Sequence, residues 1–244
     1  TGLDAMVECL REAREAGTPT LGICLGMQLL VVEWMRHVVG NAKAVSEEWE
    51  AAATTTSAVP ATSRSNVVVG LLEGMDTAKL GGTMRLGSHP VALRPGSQVH
   101  ALYDRQPTTH ERHRHRYEVQ PACVPALEGS GLRVSGHRDG LVEVVERADA
   151  GRPLYVGCQF HPEYTSSPFA PHPLVVGWLR AAAGRQARCN TAGRGWVRTA
   201  ETHARLHAMV LRRYGPTWLW SIISRRMEST PHSLSCSNTS SVSS

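Results

Sequence analysis

The stretch Thr18–Gly40, TPTLGICLGMQLLVVEWMRHVVG, constrains this chain more than any other. Thr20, Leu21 and Ile23 suit a strand. Gly22 and Gly26 bracket Cys24, and beyond it Met27, Leu30, Val31, Trp34, Met35 and Val38 recur at spacings of three and four. That period predicts a helix with one apolar face, and Gly40 is placed to end it. G-x-C-x-G is the thiol counterpart of the G-x-S-x-G nucleophile elbow, a tight strand-to-helix turn. Its glycines answer a shortage of room beside the nucleophile. Because the helix begins at Cys24, its free N–H groups and positive end are expected to favour a thiolate there. The backbone N–H of Leu25 is placed to meet a developing oxyanion. The competing reading is a buried structural cysteine, a common fate for that residue.

The second constraint lies far downstream. Residues Pro153–Tyr164, PLYVGCQFHPEY, read as a buried strand running into His161-Pro162-Glu163. On an extended segment, side chains two apart point the same way. His161 is thus expected to face Cys24 while Glu163 orients the imidazole, giving nucleophile, base and orienter. Cys158, inside the strand and without an elbow, is expected to be core.

These residues carry a resemblance. GICLGMQ with a distant FHPE resembles the class I glutamine amidotransferases, which hydrolyse glutamine at a Cys-His-Glu triad. Gly81–Gly87 (GGTMRLG), Glu111–Val119 (ERHRHRYEV) and Cys158–His172 (CQFHPEYTSSPFAPH) narrow it to the glutaminase domains of the CTP synthases. The likeness covers residues 2–185, roughly. It implies an α/β fold with a largely parallel central sheet flanked by helices, and catalysis by Cys24, His161 and Glu163 with the Leu25 N–H as oxyanion donor. It also implies a glutamine pocket. Glu48, in Ser46-Glu47-Glu48-Trp49, would take the amino group, although the adjacent Glu47 competes for that assignment. Arg116 would grip the carboxylate with its planar fork, and Gln28 would line the same pocket.

The resemblance further implies a larger enzyme. In such an enzyme ammonia passes to a synthetase domain, where ATP and Mg activate UTP for amination to CTP, and GTP acts as allosteric effector through the glycine-rich GGTMRLG segment. A homo-oligomer in the cytoplasm is implied for the full-length protein. The family also places a P-G-G-F-G loop and further strands before the first helix, and these residues do not contain them. The expectation is therefore an amino-terminally truncated glutaminase domain, weakly active or inactive alone. Loss of one oxyanion donor costs about 2.7–4 kcal/mol of transition-state stabilisation. Two alternatives stand beside this reading: a glutaminase serving another synthetase, and a non-catalytic truncated or assembly fragment.

Composition sets the remaining bounds. The six cysteines show no C-x-x-C pair or metal-ligand spacing, so reduced thiols in a cytosolic protein are expected rather than a disulfide framework. The two histidines of ERHRHRYE, at alternate positions, lack the further ligands a metal needs, and the segment reads as a charged edge strand. No apolar run reaches membrane-spanning length. The net charge of +5 is concentrated late: residues 180–244 hold ten arginines against Glu201 and Glu228, while residues 1–179 are net acidic. That distribution argues against nucleic-acid binding by the main domain.

In chain order, Leu3, Met6, Val7 and Leu10 predict a first helix ended by Gly17 and Thr18-Pro19. Ala51–Ser65 reads as a low-complexity loop. Asn66–Leu72, Leu132–Ser135 and Leu141–Arg147 read as strands, and Leu174–Ala183 as a closing helix. Residues 186–244 read as a tail, basic and then rich in serine and threonine, with an apolar patch at Trp218–Ile223 and disorder expected over Ser229–Ser244.

Overall fold

The computed structural model describes residues 2–49, 66–71, 85–149 and 151–191, with side chains described up to residue 185. The expected loop 51–65, Lys79 with the first four residues of GGTMRLG, and the tail from 192 onward, including Trp218–Ile223, lie outside the described residues.

Helix α1 (Gly2–Glu15) leads through Gly17, in a left-handed conformation, to strand β1 (Thr20–Ile23) and helix α2 (Leu25–Trp34). A π-helical turn, Met35–Val39, extends α2 and stops at Gly40, whose φ of 92° few other residues tolerate. Short strands β2 (Val45–Ser46), β3 (Val67–Leu71) and, later, β6 (Tyr117–Val119) form a small sheet. A six-stranded sheet holds β4 (Arg85–Leu93), β5 (Thr108–His115), β7 (Leu132–Arg138), β8 (Leu141–Arg147) and β9 (Tyr155–Cys158) together with β1. Its order is β1-β9-β8-β7-β4-β5. Helices α3 (Gln98–Leu102), α4 (Val124–Gly129) and α5 (Pro173–Thr191) complete the described elements.

The α/β arrangement agrees with expectation, but the sheet is mixed rather than largely parallel. In the six-stranded sheet only β1 and β9 pair in parallel, and the other pairings are antiparallel. The reason is local. Parallel neighbours need a long crossover, whereas β7 and β8 are joined by Asp139-Gly140 alone. Both of those residues have positive φ, as a two-residue hairpin turn requires. The closing helix also begins one residue before the expected start and runs past Ala183 to Thr191.

Two apolar clusters cover the sheet's faces. One joins Val7 of α1, Met27, Leu30, Val31 and Trp34 of α2, and Leu127 of α4 to Val145 and Tyr155. The other joins Val99, Phe160 and Leu174 to Val91, Val144 and Val156. Helix α2 departs from the expected amphipathic pattern: every residue from Met27 to Trp34 is buried. This includes Glu33, which Arg14 of α1 grips through both carboxylate oxygens at 2.9–3.1 Å. The Tyr155 hydroxyl donates to the same carboxylate at 3.3 Å.

What brings α2 against the sheet is a pair of glycines. Gly22 of β1 and Gly157 of β9 are register partners. A Cβ on Gly22 would lie 2.7 Å from the backbone of Gly26 and from the Leu30 side chain, and one on Gly157 would lie 2.8 Å from Met27 Cγ. A Cβ on Gly26 would meet no described neighbour within 4 Å, so the steric demand at the elbow falls on the strand glycine. Overpacking of this kind typically costs about 1–3 kcal/mol. Gly22→Ala is expected to lower stability by at least that much, because the obstructing atoms are backbone, and a shifted urea midpoint at unchanged slope checks it.

Candidate active site

Cys24 is the N-cap of α2, with φ 52° and ψ −106°. A non-glycine residue held there is strained by about 1–3 kcal/mol. The strain is maintained from both sides: Cys24 N–H donates to the Cys158 carbonyl at 2.7 Å, and its own carbonyl accepts from Gln28 N–H at 3.2 Å. The elbow expected from GICLG is therefore present, and it sets Cys24 where β1 gives way to α2.

His161 comes from the neighbouring strand end. Because β1 and β9 run parallel with Ile23 opposite Cys158, Cys24 and the segment Gln159–Glu163 leave the sheet at the same edge. His161 does not lie on an extended segment as expected. It caps a 3₁₀ turn, Pro162–Tyr164, since Pro162 favours a turn start. The turn brings Glu163 Oε1 to 2.6 Å from His161 Nδ1. So the expected pair forms, across a turn rather than along a strand. The His161 backbone N–H is tied to the Arg112 carbonyl at 2.8 Å, and Tyr164 stacks on the ring at 5.1 Å. With Nδ1 donating to the carboxylate, Nε2 is left as an acceptor. That atom is buried and, among the described residues, has no hydrogen-bond partner.

Electrostatics correct one expectation. Burial pushes the Cys24 thiol's pKa up, the Leu25 N–H pulls it down, and the carboxylates of Glu163, Glu48 and Glu118 raise it further. The helix end does favour the thiolate, as expected, but desolvation outweighs it. The sulfur therefore needs a base to take its proton. Among the described residues no hydrogen bond joins Sγ to the His161 ring; the sulfur's partner is Gln159 Nε2 at 3.7 Å.

The pocket residues separate cleanly. Glu47 is held by β3, where its Oε2 accepts from Leu71 N–H at 2.9 Å. Glu48, on the helical turn that follows β2, is exposed as a residue. Its carboxyl is nonetheless desolvated enough to lie above the usual range, with Arg116 drawing it back down. Glu48 thus stands within electrostatic reach of both Cys24 and Arg116, while Glu47 is occupied. Arg116 sits between β5 and β6, half-buried, and its Nε is buried without a hydrogen-bond partner among the described residues. Gln28 is buried and donates through Nε2 to the Tyr117 carbonyl at 3.0 Å and to Gln159 Oε1 at 3.4 Å.

Sequence reasoning missed two features. One is Gln159, whose signal was a lone amide inside the apolar run YVGCQF. The other is the inward face of β5. That strand is the sheet edge, as expected, and Arg112 and Arg114 are exposed, but Glu111, His113 and His115 are buried. Arg85 Nη1 lies 3.1 Å from Glu118 Oε1 and 2.6 Å from Glu143 Oε1, and His115 Nε2 lies 2.6 Å from Glu118 Oε1. Burial pushes Glu143 up to about 7. Burial and then Arg85 push His113 down to about 2, so that ring is neutral. Among the described residues no cluster of His, Cys, Asp and Glu could hold a metal ion, and no helix is long and apolar enough to cross a membrane. Cys158 is fully buried, as a core residue should be.

Comparisons with known proteins bear on the family and the fold. The family described as glutamine amidotransferase class-I matches residues 1–180. CTP synthase of Methanopyrus kandleri is 47% identical over 186 residues, 75% of this chain and 32% of the relative. That of Rubrobacter xylanophilus is 43% identical over 185 residues, 75% of this chain and 31% of the relative. The chain thus spans about a third of the length of these curated relatives. The glutaminase domain of Trypanosoma brucei CTPS, solved with bound acivicin, superposes with a TM-score of 0.64 at 33% identity, covering 75% of this chain and 67% of that one. By its elbow, its sheet and these relationships, the chain belongs to the class I glutamine amidotransferases, among the glutaminase domains of the CTP synthases.

Proposed function

We propose that this chain hydrolyses the side-chain amide of glutamine through Cys24, His161 and Glu163, releasing ammonia. The observation that carries the reading is the His161 ring, fixed by Glu163 at 2.6 Å with Nε2 buried and unpartnered, on the strand end beside the strained Cys24. In the scheme, Nε2 takes the thiol proton and the sulfur attacks the amide carbon. The Leu25 N–H donates to the resulting oxyanion. His161 then returns its proton to the departing nitrogen, ammonia leaves, and a glutamyl thioester remains. Water, deprotonated by His161, breaks the thioester, and glutamate leaves as the thiol re-forms. Glu163 holds the ring in the one tautomer that can do this and offsets the charge the ring acquires.

Glu48 and Arg116 read the two ends of the substrate. A carboxylate meeting Arg116 gives its buried Nε, unpartnered among the described residues, a hydrogen bond, and an ammonium meeting Glu48 restores the charge its desolvated carboxyl disfavours. Hydrolysis by this scheme requires no cofactor or metal. In the longer protein we place the ammonia's use in a synthetase domain that aminates UTP to CTP with ATP and Mg. GTP would act there as effector, in a cytoplasmic homo-oligomer of pyrimidine nucleotide biosynthesis. Neither nucleic acid nor membrane enters the scheme.

Two outcomes test the proposal. Incubation with glutamine should yield glutamate and ammonia, and acid quenching should trap a glutamyl adduct on Cys24 by mass spectrometry. Cys24→Ala removes both, and His161→Ala slows turnover by on the order of a thousandfold or more. Absence of adduct and turnover in the parent chain would favour the non-catalytic reading. Arg116→Met should raise KM for glutamine about 10- to 100-fold with a smaller change in kcat, the equivalent of roughly 1.5–3 kcal/mol for hydrogen bonds to a charged group. Glu48→Gln should act in the same sense and more weakly, because the residue is exposed. Equal losses in kcat and kcat/KM for Arg116→Met would instead place that residue in the chemical step.

A further inference from the structure

Gln159 is not used in the scheme above, yet its side chain is fully buried and its amide spans the site. Nε2 lies 3.7 Å from Cys24 Sγ, within hydrogen-bond reach of sulfur. Oε1 accepts from Gln28 Nε2 at 3.4 Å, and the same Gln28 nitrogen donates to the Tyr117 carbonyl at 3.0 Å.

The polarity of this string is set from one end. A backbone carbonyl only accepts, so Gln28 must turn its NH2 group toward Tyr117. An NH2 group has a second proton, and that proton meets Gln159. Gln159 must therefore answer with its oxygen, because the flipped amide would set two donors face to face. Its own NH2 is then committed to the sulfur. A thiolate only accepts, whereas a thiol also carries a weak donor. An amide able to present nothing but a donor favours the ionised sulfur.

We infer that Gln159 is a further catalytic residue of the amidotransferase reaction proposed above, its side-chain amide, oriented by Gln28 and the Tyr117 carbonyl, holding the Cys24 sulfur as an attacking thiolate. The inference rests on that reading of the site and adds a separate donor to it. The surroundings make such a donor necessary. Glu48 after β2, Glu118 of β6 and Glu163 beyond β9 all oppose negative charge on the sulfur, and Cys158 of β9 brings none of its own while buried and protonated. Leu25 N–H opposes them, but in the attack it turns to the oxyanion. The Gln159 N–H has no such second duty and stays with the sulfur. It serves again when the thioester breaks and the sulfur departs as thiolate. The string also ties the nucleophile to Tyr117, the neighbour of Arg116, so substrate recognition and sulfur orientation share one set of hydrogen bonds.

The test is the pH profile of Cys24 alkylation by iodoacetamide, read on the Cys24 peptide by mass spectrometry in the full chain. Gln159→Met keeps the length of the side chain and removes the N–H. The apparent pKa of Cys24 should rise by about one unit and alkylation at pH 7 should slow about tenfold, since only the thiolate reacts. Gln28→Met leaves Gln159 in place but frees its amide to turn, and should shift the profile the same way by less. An unchanged profile in a Gln159→Met variant of unaltered Tm overturns the inference. If that variant does not fold, an unchanged profile in Gln28→Met overturns it equally. Alkylation needs no glutamine, so a parent chain that fails to turn over glutamine would defeat the proposed function and leave this result to be judged by itself.

Discussion

The close approach of α2 to the paired glycines Gly22 and Gly157 is the contact on which the rest depends. With no Cβ on either, the helix lies against β1 and β9 at a distance other residues would prevent. The chain must then reverse from strand to helix within a residue, and that residue is Cys24, held at positive φ. Strain at Cys24 is thus a by-product of packing two residues away. The hydrogen bond from Cys24 N–H to the Cys158 carbonyl fastens the same corner to β9, so the strand that leads into His161 also anchors Cys24.

Around this corner the domain buries an unusual amount of charge. Glu33 sits inside α2 because Arg14 and Tyr155 satisfy it, and the three groups lock α1, α2 and β9 together. Arg85 is shared between Glu118 and Glu143 beneath the site. Breaking such a group by removing one member is far costlier than its net contribution to stability suggests, because the partner is left charged and dry. The consequence for the site is rigidity. Glu118 is next to Tyr117, whose carbonyl fixes Gln28, and two residues from Arg116, so the buried pairs hold the turn that would receive the substrate.

Much of this was legible in the sequence, and the failures are instructive. GICLG announced an elbow, although of its two glycines only Gly22 is sterically required, since a Cβ on Gly26 would meet no described neighbour. FHPE pointed to the pairing of His161 with Glu163, although the argument from an extended strand was wrong: Pro162 starts a 3₁₀ turn, and the pair meets across it. The strand directions were misjudged because resemblance suggested parallel pairing, while the Asp139-Gly140 hairpin signal that sets β7 against β8 carried the opposite information. ERHRHRYE alternated visibly, yet alternation alone does not say which face looks inward. Its histidines proved to be the buried set, which required the acidic partners Glu118 and Glu143 to be known in space. Gln159 escaped for a related reason, since a buried amide declares its role only when its partners at both ends are seen.

One property of the sheet bears on how the molecule comes to exist. The six-stranded sheet has a single parallel pairing, β1 with β9, and the Gln159–Cys24 contact that depends on it spans 135 positions of sequence. Pairings of such long range are made at high entropic expense. A newly made or partly unfolded chain therefore carries a thiol with no imidazole beside it. The arrangement of Cys24 with the His161 segment thus exists only once that pairing has formed, so it depends on completion of the sheet rather than on any local stretch of chain.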